Sequence, residues 1–221
     1  MAEIKVRKLV NPTEEELDKC AECLAAAFAN DAFTNAVIGG DKALILPFER
    51  ATVACNALAG EIWVASCGDE QYASVATWFA PGRDLMDSPD QGEAGFNALF
   101  GQFRPELATW WMEYFLPKYN TDLVAALGDG GKLGAWHLQL LGTRPTLQRK
   151  GLARAVLAPI MQRAKEDGKL LSLEAEEEYN IEIYKRIGWK VKWGPEKYDC
   201  ITPVGFQMWV LIANEEGAAK S

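Results

Sequence analysis

An α/β fold on a mixed sheet is what the sequence predicts, and three observations predict it. Residues 136–189 alternate strand and helix patterns, as chains do when parallel strands are joined by crossover helices. The β-rich runs Glu61 to Cys67 and Gln71 to Phe79 are separated only by Gly68-Asp69-Glu70, a glycine-containing loop that suits an antiparallel hairpin. Near the end, Lys190 to Trp193, a Gly-Pro turn and the apolar run Phe206 to Ala213 predict a second hairpin. Parallel and antiparallel pairs in one chain make the sheet mixed.

The elements follow in order. Ile4 to Val10 alternates apolar and basic residues with a period of two and reads as a strand with one buried face. Asn11 as N-cap, Pro12 at the first helical position and Glu14 three residues after the cap predict a helix start. Leu17, Cys20, Leu24 and Phe28 then recur at helical spacing. A second helix is predicted from Leu46 to Leu58, ending at Gly60, and Pro81-Gly82 stops the hairpin's second strand. A polar stretch, Arg83 to Gly95, leads to Phe96, Phe100, Phe103, Trp110, Trp111, Tyr114, Phe115 and Tyr119, two helical stretches of which Pro105 opens the second. Two readings stay open for these aromatics: core packing, or a lid or wall over a substrate cleft. Strand 136–143, helix 151–167, strand 170–175 and a short helix 180–187 come next. No repeat or linker interrupts the chain, so 1–213 reads as one domain with a helical insertion over 81–135, and 214–221 as a loose tail.

Composition narrows the function. With 221 residues, the chain can bury about seven-tenths of its unfolded surface and needs no staples. Hydrophobic residues at 49% and charged ones at 24% exclude disordered and fibrous classes. The longest apolar runs, such as Ala43 to Phe48, fall far short of the roughly 18 residues of a membrane span. The N-terminus lacks the apolar stretch of a secretory signal, so a cytoplasmic protein is expected. Five cysteines without framework spacing read as reduced thiols, and Cys20-x-x-Cys23 has no second pair to complete a metal site. Against 31 Asp+Glu there are 23 Lys+Arg, a net charge of −8 that opposes nucleic acid and favours a cationic small molecule.

One stretch departs from that acidity. Between Leu138 and Lys165 there is no acidic residue, while Arg144, Arg149, Lys150, Arg154, Arg163 and Lys165 are all basic. Several crowd onto Gln148-Arg149-Lys150-Gly151-Leu152-Ala153-Arg154, at a loop-to-helix junction where free backbone N–H groups and the helix dipole can bind phosphate. Gly151 allows close approach to the backbone. Neither G-x-x-x-x-G-K-[ST] nor G-x-G-x-x-G is present, which disfavours ATP and NAD.

Strand, Gln-x-x-Gly-x-Ala, helix, strand, Asn-x-x-x-Tyr and Gly-Trp together resemble the acetyl-coenzyme A (acetyl-CoA) binding half of the GNAT N-acetyltransferase superfamily, clearly over 136–189. Leu-Gly-x-x-Pro-x-x-Gln, Pro159, Leu173-Glu174 and Asn180-x-x-x-Tyr184 are similar to the puromycin N-acetyltransferase type, while Thr143 stands where that family usually has Val. The resemblance implies a GNAT fold whose sheet splays at the acetyl-CoA strand. It implies acetyl-CoA as acetyl donor, with Leu141, Gly142 and Thr143 against its acetyl and pantetheine groups and Gln148, Arg149, Lys150, Gly151, Leu152, Ala153 and Arg154 around its pyrophosphate.

Acetyl transfer needs an oxyanion donor, a base for the attacking amine and an acid for the leaving thiolate. Asn180 and Tyr184, four apart, share a helix face; Tyr184 can protonate the thiolate and Asn180 can bond the pantetheine. Glu174, at the C-terminal end of its strand, is the general-base candidate. Glu176, Glu177 and Glu178 read as an acidic rim that steers a cationic amine. His137, the only histidine, can change charge near neutral pH and, with Trp110, Trp111 and Tyr114, is a candidate for contact with the acceptor. The leading expectation is acetylation of a small-molecule primary amine, possible antibiotics and other xenobiotics included. The alternatives are a noncatalytic acyl-CoA sensor and an enzyme acting on protein amines. Neither nucleic acid, membrane nor metal is expected as a partner, and the oligomeric state is open.

Overall fold

The structure, a computed structural model, describes residues 3–218. Its strands are β1 (Ile4–Lys8), β2 (Glu61–Cys67), β3 (Glu70–Phe79), β4 (Trp136–Thr143), β5 (Leu171–Ala175), β6 (Lys190–Tyr198) and β7 (Phe206–Ala213). They form one seven-stranded sheet in the order β1-β2-β3-β4-β5-β7-β6. Every neighbouring pair is antiparallel except β4 and β5, which are parallel. Helices α1 (Glu14–Ala27), α2 (Ala32–Val37) and α3 (Ile45–Ala59) precede the first hairpin. Between β3 and β4 lie α4 (Pro89–Gln91), α5 (Asn97–Phe100), α6 (Pro105–Thr109) and α7 (Leu116–Leu127), with π-helical turns at Gly92–Phe96 and Trp110–Phe115. Helices α8 (Leu152–Glu166), α9 (Glu178–Arg186) and α10 (Glu215–Ala218) complete the chain.

Two sequence expectations need correction. The first helix is capped by Thr13, not Asn11: Asn11 takes a left-handed φ of 48°, and Thr13 with Glu16 forms the reciprocal capping box. Gly194-Pro195 does not turn the chain, because β6 runs through it and shifts register against β7 between Trp193 and Glu196. The proline's missing donor is absorbed in an edge-strand irregularity, where it costs no ladder bond. Helix α2 had no sequence expectation; it is too short to show a period, and its signal is the Asp31 cap, whose Oδ1 accepts from Thr34 N at 2.7 Å. In the tail, the Asn214 side-chain amide donates to Ala164 O and Lys169 O, and α10 follows; residues 219–221 lie outside the described residues.

Both sheet faces are covered. On one, Leu152, Val156, Leu157 and Ile160 of α8 pack on Trp78, Trp136, Leu138, Leu173 and Ala175. On the other, Leu17, Cys20, Leu24 and Val53 of α1 and α3 cover Ile62, Val64 and Val75. Beside them the aromatic insertion closes on Phe48 and Phe79. Its π-helical turn at Trp110–Phe115 runs directly into Pro117, which cannot donate to the carbonyl four residues back, so the helix rewinds there. All five cysteines are free and four are buried. Burial pushes the thiols of Cys20, Cys23 and Cys55 up to about 12.

Candidate active site

The site is a fork in the sheet. Strands β4 and β5 pair only through Trp136 with Leu171 and His137 with Ser172, after which they part. Two features open the fork: β5 follows β7 along its whole length, and β4 carries a bulge at Gln139, between the residues that oppose Thr77 and Trp78. Gln139 consequently leaves its buried Oε1 without a partner.

Strand β4 offers backbone donors to this opening. Arg144 N bonds Ala73 O, and in the same register Gly142 opposes Val75 while Leu141 and Thr143 oppose Ala76 and Ser74. Alternation along an antiparallel ladder then turns the N–H and C=O groups of Leu141 and Thr143 away from β3, toward the edge that β5 has vacated. Gly142 must be glycine because a Cβ there would come within 2.9 Å of Leu24 Cδ2 and 3.0 Å of Ala27 Cβ on α1.

Beyond β4 the chain reaches the α8 N-terminus through Gln148, Arg149 and Lys150, all exposed. Gly151 caps the helix at φ 87°, and a Cβ built on it meets nothing within 4 Å, so an open hollow lies over the first turn. Leu152 is buried under the helix, Ala153 is half-buried and Arg154 is exposed. Arg149, Lys150 and Arg154 make no ion pair among the described residues, whereas Arg144 and Arg163 are held by Glu70 and Glu61. The free cations and the open helix end fit a pyrophosphate, and the unpaired β4 amides fit a pantetheine and acetyl group.

Glu174 faces the fork from β5. Its Oε2 accepts from Tyr119 Oη at 3.0 Å and lies 3.4 Å from His137 Nε2, while Oε1 is buried with no partner. Burial raises its carboxyl above the ordinary range, against the opposing pull of Lys132 and the Tyr119 hydrogen bond. His137 is held neutral, well below its usual titration range, by burial and then by Lys132; its Nδ1 lies 3.3 Å from Ser172 Oγ. Glu176 is raised well above the carboxylate range by burial and by the charges of Asp31 and Glu174. Asp31, the α2 cap, is raised by burial.

Tyr184 and Asn180 lie half-buried on one face of α9. The Tyr184 ring packs edge-on against Trp189 at 5.8 Å, and its hydroxyl has no hydrogen-bond partner among the described residues. Burial and the Glu176 charge raise its proton affinity, so it remains a phenol through neutral pH.

The aromatics fall differently. Trp110 and Trp111 are buried, and their indole N–H groups donate to Asp199 O at 2.8 Å and Val37 O at 2.7 Å. Tyr114 Oη accepts from Asp199 N. Their polar ends are thus already engaged within the chain. The residue of this segment that reaches Glu174 is Tyr119, whose own hydroxyl accepts from Lys132 Nζ at 3.1 Å. Sequence reasoning missed Tyr119, Lys132, Asp31 and Asp84. Only Asp31 had a local signal, as a cap.

Residues 104–203 match the family model described as an acetyltransferase (GNAT) domain. Solved structures share the fold over almost the whole chain. A mosquito arylalkylamine N-acetyltransferase-like protein is 16% identical, with 95% of this chain and 99% of that one covered and a TM-score of 0.63. A protein described as histone acetyltransferase HPA2 and related acetyltransferase, from Corynebacterium glutamicum, is 19% identical, with 95% and 96% covered and a TM-score of 0.60. A putative acetyltransferase from Salmonella typhimurium, solved with its cofactor acetyl-CoA, is 13% identical, with 96% and 95% covered and a TM-score of 0.53. No helix among the described residues is long and apolar enough to cross a membrane, and no group of His, Cys, Asp and Glu among them is arranged to hold a metal ion. With a mixed sheet forked at its parallel pair and a matched acetyltransferase (GNAT) domain, the chain has the GNAT fold and is an acetyl-CoA-dependent N-acetyltransferase.

Proposed function

We propose that the chain transfers the acetyl group of acetyl-CoA to a primary amine of a small molecule, by direct attack in a ternary complex. The observation that carries this reading is the buried, unpartnered Oε1 of Glu174 at the fork. A carboxylate oxygen excluded from water and lacking a hydrogen bond is costly unless a donor arrives, and an ammonium is such a donor. Glu174 takes the ammonium proton, which frees the nitrogen lone pair. The amides of Leu141 and Thr143 receive the charge that develops on the thioester oxygen. As the carbon–sulfur bond breaks, Tyr184 gives its hydroxyl proton to the departing sulfur and recovers one from the second proton that the nitrogen sheds in becoming the amide, with Asn180 bonding the pantetheine beside it. Residues 148–154 hold the pyrophosphate. Asp31 and Glu174 supply the negative field that draws in a cation, while Glu176 between them holds its proton.

A small acceptor is favoured over a peptide because the 81–135 insertion, read as the wall of the acceptor cleft within one domain spanning 1–213, covers this face with packed aromatics. The likeness of the Asn180-x-x-x-Tyr184 region to the puromycin type and the name of the mosquito protein point the same way. The test is to incubate the protein with acetyl-CoA and panels of arylalkylamines, polyamines, aminonucleosides and peptides, and to read acetylated products by mass spectrometry. Products among the small amines are the expected result. Acetylation confined to peptides would transfer the reading to protein acceptors, and acetyl-CoA binding without any product would make the chain a sensor.

A further inference from the structure

Glu174 sits at one end of a hydrogen-bonded chain that has no part in the roles above. Lys132 Nζ donates to Tyr119 Oη at 3.1 Å, and Tyr119 Oη donates to Glu174 Oε2 at 3.0 Å. The same ammonium pairs with Asp84 Oδ1 at 2.7 Å. The Lys132 side chain is only 12% exposed, so water screens its charge weakly. Each hydrogen points toward Glu174. A chain so polarised stabilises a carboxylate at its end and opposes a carboxylic acid there, because the Tyr119 proton is already committed to Oε2.

We propose that Lys132 is a positioning residue for catalysis: acting through the Tyr119 hydroxyl and restrained by Asp84, it keeps the Glu174 carboxylate ionised and occupies Oε2, leaving Oε1 for the acceptor. This rests on the reading of Glu174 as the base. It resolves a conflict within that reading, since the burial that makes Glu174 a strong base also favours its protonation before the amine arrives. The other groups facing Glu174 cannot supply the positive charge. Glu176, just beyond β5, is acidic, His137 on β4 is neutral, Tyr198 on β6 is a phenol committed to Asp122, and the β7 partner Val210 is apolar. The segment thus contributes Lys132 from the glycine-rich stretch before β4 and Tyr119 from α7, two residues brought together only by the fold.

The experiment follows the Glu174 carboxyl carbon directly, by NMR titration of the full chain labelled with 13C-glutamate and assigned with Glu174→Gln. Lys132→Met should raise the Glu174 midpoint by about one to three pH units, the range of a lost neighbouring charge, and Lys132→Arg should restore most of it. Asp84→Asn should lower the midpoint, because it frees the ammonium from its counter-charge. In a Tyr119→Phe background, Lys132→Met should shift it less. A midpoint unmoved by Lys132→Met, or moved upward by Asp84→Asn, would overturn the proposal; if Lys132→Met fails to fold, the sign of the Asp84→Asn shift decides alone. Midpoints that move as stated while Glu174→Gln retains full turnover would leave the electrostatic coupling standing and remove Glu174 as the base.

Discussion

The two sides of the β4–β5 fork are built from different materials. On the proposed donor side, binding capacity resides in backbone: the β4 amides, the left-handed Gly151 and the first turn of α8, ringed by exposed cations that make no ion pair among the described residues. On the proposed acceptor side it resides in side chains from four distant segments: Tyr119, Lys132 and Glu174, joined by hydrogen bonds, and Asp31, whose charge acts on Glu176. A backbone-built site divides its energy among many weak donors and tolerates the loss of any one. A buried side-chain site concentrates energy in a few charges whose removal leaves others unpaired.

That contrast predicts unequal mutational costs. The largest is expected at Glu174. Glu174→Gln should lower turnover at pH 7 by a factor of about 10² to 10⁴, recover in part at high pH where the amine is already neutral, and leave acetyl-CoA affinity intact. A loss confined to the Michaelis constant across pH would make Glu174 a binding group. Tyr184→Phe should follow, with turnover reduced by about 10² and calorimetric affinity for acetyl-CoA nearly unchanged; unaltered turnover would assign the ring to packing on Trp189.

The third prediction concerns stability beside the acceptor side. Glu49 is fully buried on α3, neither carboxylate oxygen has a partner, and burial, then the Asp31 charge, pushes it from its ordinary 4.5 up to about 8. Between those values the folded chain holds a proton that the unfolded chain has released, so Glu49 makes stability fall as pH rises from about 4.5 to about 8. Glu49→Gln should flatten that slope in thermal melts and add a few kcal/mol at pH 8, at about 1.4 kcal/mol per unit of displaced titration. Parallel slopes for the two proteins would contradict it. The smallest effect is expected on the donor side. Gly151→Val forces a β-branched residue into φ 87° and projects into the open hollow, costing about 1–2 kcal/mol of backbone strain and raising the acetyl-CoA dissociation constant about tenfold. Unchanged affinity in the folded variant would remove the α8 N-terminus from the cofactor site.

The same contrast explains what could be read before the structure was known. Gln148 to Arg154 is contiguous and opens a helix, so composition alone marked it, and the hairpin at Gly68-Asp69-Glu70 and the alternation over 136–189 were equally local. The fork followed from likeness to a known fold, because the bulge at Gln139 leaves no mark on the sequence. Tyr119 and Lys132 were illegible for a physical reason. One lies among eight aromatics with a common packing signal, the other in a glycine-rich stretch without periodicity, and only the turn of the chain between α7 and β4 brings them together. Trp110 and Trp111 carry a packing signal and nothing in the sequence marks the backbone carbonyls, Asp199 O and Val37 O, to which their indoles donate.

The burial of the cysteines decides how the reaction can be followed. Disulfide-exchange reagents consume thiolates, and Cys20, Cys23 and Cys55, held at about 12, present almost none at neutral pH. Coenzyme A released at each turnover carries an ordinary solvent-exposed thiol and reacts first. A colorimetric trace in such a reagent should therefore report turnover with little background from the enzyme. The protein's four buried thiols would enter the count as the chain unfolds, giving a later and stoichiometrically distinct signal of inactivation in the same cuvette.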